Sequence, residues 1–457
     1  MTSISHTANA SRRVRDDWPH TNRLLPWLIA AFLVMVWLVP FDAVDLPLQL
    51  PIDAKLDRIL LIGIGTFWLL MLLVSPQRRK PNGTNVMSLA LGIFLLVAVA
   101  SVVVNLETLS ILDQTGVATK KLVLLASYGL FFLIVSTTLR PGELRPFCTL
   151  LLALACLTAI GTVWEYRTGF NAFYEWFDKL MPGAIQVANP PGDPVWGRTN
   201  NTGPTGHALA VATMLAIALP FAVVRLMDAL NTRDKIVYGA ITAVLLAGNM
   251  ATIRKTGAVV PAVVLLTLVA FRPRAMLRIA PVGLVILVFV NGIAPGAMVK
   301  IKAQLLPGKF NESASTLGRK DDYRAVKPDE RQKMALGRGY GTYDPYLYRF
   351  LDNQYLMLRV ETGLIGVLAF LLMVAAAVGA AYPAIRSKAS ERAPPALAAA
   401  AGAIGFGVAA FLFDVLAFPH APYTFFFLAG LGVVASRGMS SHPPRVSRCG
   451  TTACART

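Results

Sequence analysis

Five basic residues border long apolar runs in this chain, and their type and placement suit anion chemistry. Arg254 and Lys255 stand in ATIRKTGA, a short turn between two apolar runs. Arg198 stands in PVWGRTNNTGPTGH, just ahead of another run. Arg338 lies between two glycines, and Arg359 falls inside the start of a later run. A guanidinium offers a planar fork of donors that matches phosphate oxygens, and lysine adds a point charge. Arg198, Arg338 and Arg359 are each alone more often structural; for ATIRKTGA the bland reading is a solvated turn, and an anion site is the favoured one. If they converge on one face of a membrane, they form a diphosphate site.

The candidate proton acceptors are fewer. Asp352 and Asn353 directly precede the run that holds Arg359. The simplest role for either is a helix N-cap, which both side chains fill well. The alternative for Asp352 is a general base at the membrane–water boundary. His207 opens another run and is the second candidate base; a lone histidine there is more often a hydrogen-bonding helix end. His420, in FPHAPY, reads the same way. Tyr340, Tyr343, Tyr346, Tyr348 and Tyr355 crowd the stretch around Asp352. Some are interface-belt tyrosines, but Tyr340 and Tyr343, with Asn353, also suit a sugar ring. Gly337, Gly339 and Gly341 permit a tight turn and are not a nucleotide-binding P-loop, since G-x-x-x-x-G-K-[ST] is absent.

The elements that must position these residues are membrane spans. The chain has 457 residues, 55% of them hydrophobic and only 15% charged. A soluble domain carries about 25% charge, so this composition excludes an ordinary soluble enzyme. Its apolar runs are long and unbroken, and in lipid only a helix satisfies its own backbone. The expected fold is all-α, with about twelve spans near 24–40, 57–75, 86–104, 121–139, 146–163, 206–226, 236–253, 256–271, 277–295, 354–382, 396–418 and 420–435. The first run is too long for a signal peptide and no A-x-A-like cleavage site follows it.

Charge then orients the spans. Arg12, Arg13, Arg15 and Arg23 precede the first span, and the alternate connections hold Arg78, Arg79 and Lys80, then Arg140 and Arg145, Arg225 and Arg233, Arg272 and Arg274, and Arg386 and Arg392. The first opposite connection is acidic, with Asp42, Asp45, Asp53 and Asp57. The positive-inside rule therefore predicts both termini in the cytoplasm: a tail over 1–23, the membrane domain over 24–435, and a disordered tail over 436–457. Arg254 and Lys255 then lie outside, where topology disfavours them. Two external connections are long, 164–205 and 296–350, and long loops are usually functional or disordered. The first carries Phe173, Trp176, Phe177 and Leu180 at helical spacing, fit for a surface helix. The second holds a polar stretch, Asp321 to Leu336, expected to be helical.

The net charge of +18 matches basic loops facing anionic lipid. No compact basic domain points to nucleic acid. Cys148 and Cys156 fall in one span, and Cys449 and Cys454 are a single pair, short of a four-ligand zinc site. Walker motifs and a D-x-D pair for a metal-bound nucleotide sugar are missing.

GRGYG at 337–341 followed by LDNQYLMLRVETGLIGVLAFLL resembles the core signature of the O-antigen ligase and polymerase superfamily. GRTNNTGPTGHALAVATML is similar to that family's Arg, Gly and His segment, and ATIRKTGAVV to its Ser-Arg-x-x turn. The resemblance spans residues 195 to 375. It implies a metal-independent enzyme without a cofactor in the cytoplasmic (inner) membrane. Such an enzyme moves a glycan from an undecaprenyl-diphosphate carrier to a glycan or lipid acceptor on the outer face, in cell-surface polysaccharide assembly. It carries diphosphate binding onto Arg198 and Arg254. Ligases of the family place a His before the motif Asn, where this chain has Asp352, so a polymerase-like member fits better. The competing expectations are a secondary transporter or flippase of an anionic or lipid-linked solute, and a structural subunit of an envelope complex.

Overall fold

A computed structural model describes residues 24–41, 44, 55–74, 85–182, 201–293, 321–327, 333–344, 347–387 and 390–438. Arg198, the 1–23 tail, the 436–457 tail beyond 438 and most of the 296–350 loop lie outside these residues. The described helices are α1 (Leu24–Leu38), α2 (Leu56–Val74), α3 (Val86–Val104), α4 (Leu106–Ile111), α5 (Thr115–Thr138), α6 (Leu144–Thr168), α7 (Ala172–Leu180), α8 (Ala208–Asp228), α9 (Thr232–Ala251), α10 (Thr256–Phe271), α11 (Pro273–Ile293), α12 (321–327), α13 (Gln354–Glu361), α14 (Gly363–Arg386), α15 (Ala393–Leu412) and α16 (His420–Ser436). Among the described residues there is no β-strand.

The chain is an all-α, multi-pass membrane protein. Among the described residues, eight helices are long and apolar enough to cross a bilayer: α2, α3, α5, α6 with its leading turn, α8, α11, α14 and α15. Three more, α1, α10 and α16, are apolar but shorter. α9 is as long, but its first turn carries Arg233, Asp234 and Lys235.

α8 is the axis of the bundle. From Ala208 to Leu226 its residues are buried, save Leu209 and Arg225. A helix apolar on every side belongs inside a bundle, and α8 packs on α9, α10 and α15. Lipid supplies no hydrophobic drive between helices, so close backbone approach must hold them together. Small residues allow it. A Cβ on Gly402 of α15 would stand 2.7 Å from the Ile217 carbonyl oxygen of α8, and one on Gly430 of α16 would stand 2.5 Å from Val135 of α5. At the periphery, α2 and α11 turn Leu69, Leu73, Leu284 and Val288 outward, as lipid-facing helices do.

Two expected spans are interrupted. The stretch 354–382 breaks at Thr362, because Gly363 adopts φ +68° and opens a new helix. The stretch 396–418 stops at Leu412, because Phe413 is fully extended at φ −164°, ψ 173°. Residues 413–419 then form a turn, and this turn carries Asp414. The expected helix in the 164–205 loop is α7, and its stripe is divided between the bundle and the exterior. Tyr174 and Phe177 are buried, whereas Trp176 and Leu180 are 73% and 77% exposed. Phe173 packs against Gly161 of α6, where a Cβ would lie only 2.4 Å from its ring. Of the polar stretch 321–336, the described helical part is 321–327.

Candidate functional site

The glycine turn and the break between α13 and α14 form one interlocked unit. Arg338 N–H donates to the Val360 carbonyl at 3.0 Å, and Gly339 N–H to the Glu361 carbonyl at 2.9 Å. In return Leu364 N–H donates to the Met334 carbonyl at 2.9 Å. The contact leaves no room for side chains. A Cβ on Gly337 would lie 2.4 Å from Glu361, and one on Gly363 would lie 2.1 Å from the Ala335 oxygen. Both glycines have positive φ, which only glycine adopts freely. The α3 helix seals the joint: Ser101 Oγ is 2.7 Å from both the Leu336 and Glu361 carbonyls. The Glu361 carboxylate accepts from the backbone of Gly341 and Tyr343, the latter at 3.1 Å. The G-x-G and E-x-G pattern is therefore the fit between a loop and a broken helix.

Arg338, Tyr340 and Tyr343 are built into this unit. Tyr340 and Tyr343 are buried. Tyr343 stacks on Tyr348 at 5.1 Å, and Arg338 lies over the Tyr348 ring at 4.2 Å and hydrogen-bonds its hydroxyl. These side chains hold the loop, and the structure does not present Tyr340 or Tyr343 as an open sugar platform.

The start of α13 separates the two residues that sequence left as alternatives. Asn353 is buried and is the N-cap, its Oδ1 accepting from the N–H of Tyr355 and Leu356. Its Nδ2 donates to the Tyr323 hydroxyl of α12 at 3.1 Å. Asp352, one residue earlier, is exposed and does not cap the helix. Arg359 is exposed on the same helix.

The turn 413–417 docks on this helix start. Gln354 N–H donates to the Phe413 carbonyl at 3.2 Å, and Gln354 Oε1 accepts from Leu416 N–H at 2.9 Å. Tyr128 of α5 adds a bond to the Leu416 carbonyl at 3.1 Å. The turn therefore brings Asp414 within electrostatic reach of Asp352. The Asp414 carboxyl is raised to about 7, chiefly by burial, with the Asp352 and Glu361 charges adding to the rise and its own backbone hydrogen bond and Lys121 opposing it.

His207 lies on the other side of the same turn. Its ring stacks on Phe418 at 4.2 Å and faces Phe413 at 6.3 Å. Its Nδ1 is enclosed and has no hydrogen-bond partner. Burial lowers its pKa to about 4, and the Arg254 charge adds to the effect. At neutral pH it is an uncharged imidazole, able to take a proton. The turn that launches His207 is anchored by buried Glu165 of α6, which accepts from Thr202 N–H at 3.1 Å and Gly203 N–H at 2.8 Å.

Arg254 and Lys255 occupy the α9–α10 turn and are half-buried. Asn201 fixes the turn through a 2.7 Å bond to the Ala251 carbonyl. Ile253 has φ +51°, a costly conformation for a β-branched residue. Lys255 is the N-cap residue of α10. Two cations therefore stand at the positive end of a helix dipole, which disfavours cations and favours an anion.

One end of the bundle thus brings together Arg254 with His207, and Asp352 with Asp414 and Lys121. The 413–418 turn is packed between the two groups. Arg338 and Arg359 stay on the α13 side. His420 belongs elsewhere: it is buried, stacked on Phe41 at 4.0 Å, with Nε2 3.3 Å from the Val39 carbonyl. Sequence reasoning missed Asp414, Lys121 and Glu165. A lone acid in the apolar run FLFDVLAF was the signal for Asp414, because intramembrane acids mark function.

No family model matches the chain, and no curated protein is significantly similar to it.

Proposed function

We propose that this protein is a membrane glycan transferase or polymerase. It moves a glycan from an undecaprenyl-diphosphate carrier to a glycan or lipid acceptor on the outer face of the cytoplasmic membrane. The observation that carries the reading is the placing at one bundle end of a cationic helix start, Arg254–Lys255, and an exposed carboxylate, Asp352, one residue ahead of the α13 cap. The reading also rests on the GRGYG and DNQYL residues that resemble the O-antigen ligase and polymerase superfamily.

The donor is already activated, because diphosphate is a good leaving group. The acceptor hydroxyl gives its proton to the Asp352 carboxylate as its oxygen attacks the anomeric carbon. The bond from that carbon to the diphosphate oxygen breaks, and the electron pair leaves with the diphosphate. Arg254 and Lys255 balance that growing charge, with the α10 dipole behind them. His207 stays neutral beside Arg254 and hydrogen-bonds the substrate hydroxyls. The protein supplies charge balance, one base and orientation.

Reconstitution in liposomes with a fluorescent undecaprenyl-diphosphate glycan tests this against a flippase. The expected result is a longer or acceptor-linked glycan together with free carrier. Translocation of unchanged donor, with no glycan transferred, overturns the proposal.

A further inference from the structure

The short helix α7 has three distinct faces. Tyr174 and Phe177 are buried against the bundle. At about 3.6 residues per turn, Glu175, Asp178 and Lys179 fall together on a second side, and all three are exposed. Trp176 and Leu180 lie on the third, apolar and exposed. Phe173, next to them on the helix surface, packs on Gly161, about two turns before α6 ends at Thr168. Helix α7 therefore lies alongside the end of that span and not above it. There α6 exposes Leu157, Ile160 and Trp164, a stripe at helical spacing on a helix apolar enough to cross a bilayer. Gly161 borders this stripe, one turn from both Leu157 and Trp164. The outward apolar face of α7 thus continues a lipid-facing surface, and Trp164 and Trp176 suit the boundary between acyl chains and headgroups.

The inner face of α7 is tied to the turn that precedes His207. Asn171 Oδ1 caps α7, accepting from Phe173 N–H at 3.0 Å, while its Nδ2 donates to Glu165 Oε1 at 3.0 Å and to the Gly203 carbonyl at 2.8 Å. Glu165 in turn accepts from Thr202 and Gly203 N–H. The Tyr174 hydroxyl closes over Gly206, where a Cβ would stand 2.9 Å from it. Helix α7 and the 202–206 turn are therefore one unit. We propose that α7 is a membrane-interface anchor: Trp176 and Leu180 sit among the acyl chains of the adjoining leaflet, and through Asn171 and Tyr174 this contact pins the turn that launches His207. The partner is bilayer phospholipid, held by burial of apolar surface. The charged side faces water. With two acids and one lysine it offers no basic patch to anionic headgroups, so the contact holds on neutral lipid. This anchoring is independent of the transfer chemistry.

The test is the collision accessibility of a nitroxide label on the full-length protein in phosphatidylcholine vesicles. Labels in Trp176→Cys and Leu180→Cys, in a cysteine-free background, should meet lipid-soluble oxygen severalfold more than a water-soluble nickel chelate, as in Ile160→Cys on the α6 stripe. The order should reverse in Asp178→Cys. Nickel reaching Trp176→Cys as freely as Asp178→Cys would place α7 in water, and exclusion of both reagents would place protein over it; either overturns the proposal. A second measurement leaves the native cysteines in place. In vesicles with brominated chains, the tryptophan emission lost in Trp176→Phe should be emission that bromine quenches, and loss of unquenched emission also overturns it. The pin is read separately. Trp176→Ser removes the apolar contact without adding charge, and should speed amide hydrogen exchange at Thr202 and Gly203 severalfold while leaving α15 unchanged. Equal exchange at those two amides in Trp176→Ser and wild type overturns the pin.

Discussion

Asn353 Oδ1 accepts from Tyr355 N–H at 3.0 Å, so the side chain that closes the first turn of α13 belongs to Asn353 and not to its neighbour Asp352. The two positions should respond to mutation in opposite ways. Asn353→Ala should lower stability by about 1 kcal/mol through loss of the cap. Asp352→Asn should fold normally and lose about 10²–10⁴ in transfer rate, because asparagine cannot take a proton. Thermal melting and initial rates on both variants check this pair. A fast Asp352→Asn enzyme would move the base to His207.

Arg254 should carry the diphosphate. Arg254→Ala should abolish transfer without reducing the amount of folded protein. Arg254→Lys should recover only part of the rate, since the charge returns and the fork does not. Full activity in Arg254→Ala removes this residue from the mechanism.

The joint at Gly363 should tolerate no side chain. Gly363→Ala combines a left-handed backbone, costing about 1–2 kcal/mol, with an overpacked contact, costing about 1–3 kcal/mol. The contact is real, since a Cβ there lies 2.1 Å from the Ala335 oxygen. Gly379, in the same helix α14, has nothing within 4 Å of its Cβ position, so Gly379→Ala should be neutral. Equal melting temperatures for the two variants would refute the interlock.

Asp414 should make stability depend on pH. Its carboxyl is raised from 3.8 to about 7 in the folded protein, so the native state holds a proton that the unfolded chain releases. Stability from this group is complete below about pH 4 and is lost as pH rises through 7. Asp414→Asn should remove that loss, leaving a variant more stable than wild type at pH 8. Melting curves at pH 5 and pH 8 decide it. His207 acts oppositely: its lowered pKa costs stability as pH falls below about 6.5 toward 4.

Sequence carried the helices well, because a run such as Leu56–Val74 or Val86–Val104 has one solution in lipid. It carried the candidate residues only as types. Asp352 and Asn353 look alike as caps until the backbone shows which side chain reaches Tyr355. Tyr340 and Tyr343 look like sugar platforms until packing closes over them. The breaks at Gly363 and Phe413 were hidden inside apolar runs, since hydropathy does not register one extended or left-handed residue. Asp414 was hidden with them. Glu165 and Lys121 acquire meaning only through partners far along the chain, Gly203 and Gly341, which no local pattern connects.

Orientation in the membrane is the next expectation to settle. Asp113, in the exposed turn between α4 and α5, and Glu391, ahead of α15, should face opposite sides. In a cysteine-free background, a cysteine at 113 should react with an impermeant maleimide on intact spheroplasts, and one at 391 only after lysis. Labelling of both from outside contradicts cytoplasmic termini.

The most direct test of the account is transfer itself. Purified protein in detergent receives an undecaprenyl-diphosphate glycan and a panel of glycan and lipid acceptors, and released carrier and extended acceptor are counted together. The account predicts one carrier freed for each glycan transferred by wild type, about 10²–10⁴-fold slower formation of both products by Asp352→Asn, and neither product from Arg254→Ala. Carrier and donor left intact with every acceptor, by protein that is folded and monodisperse, would contradict it.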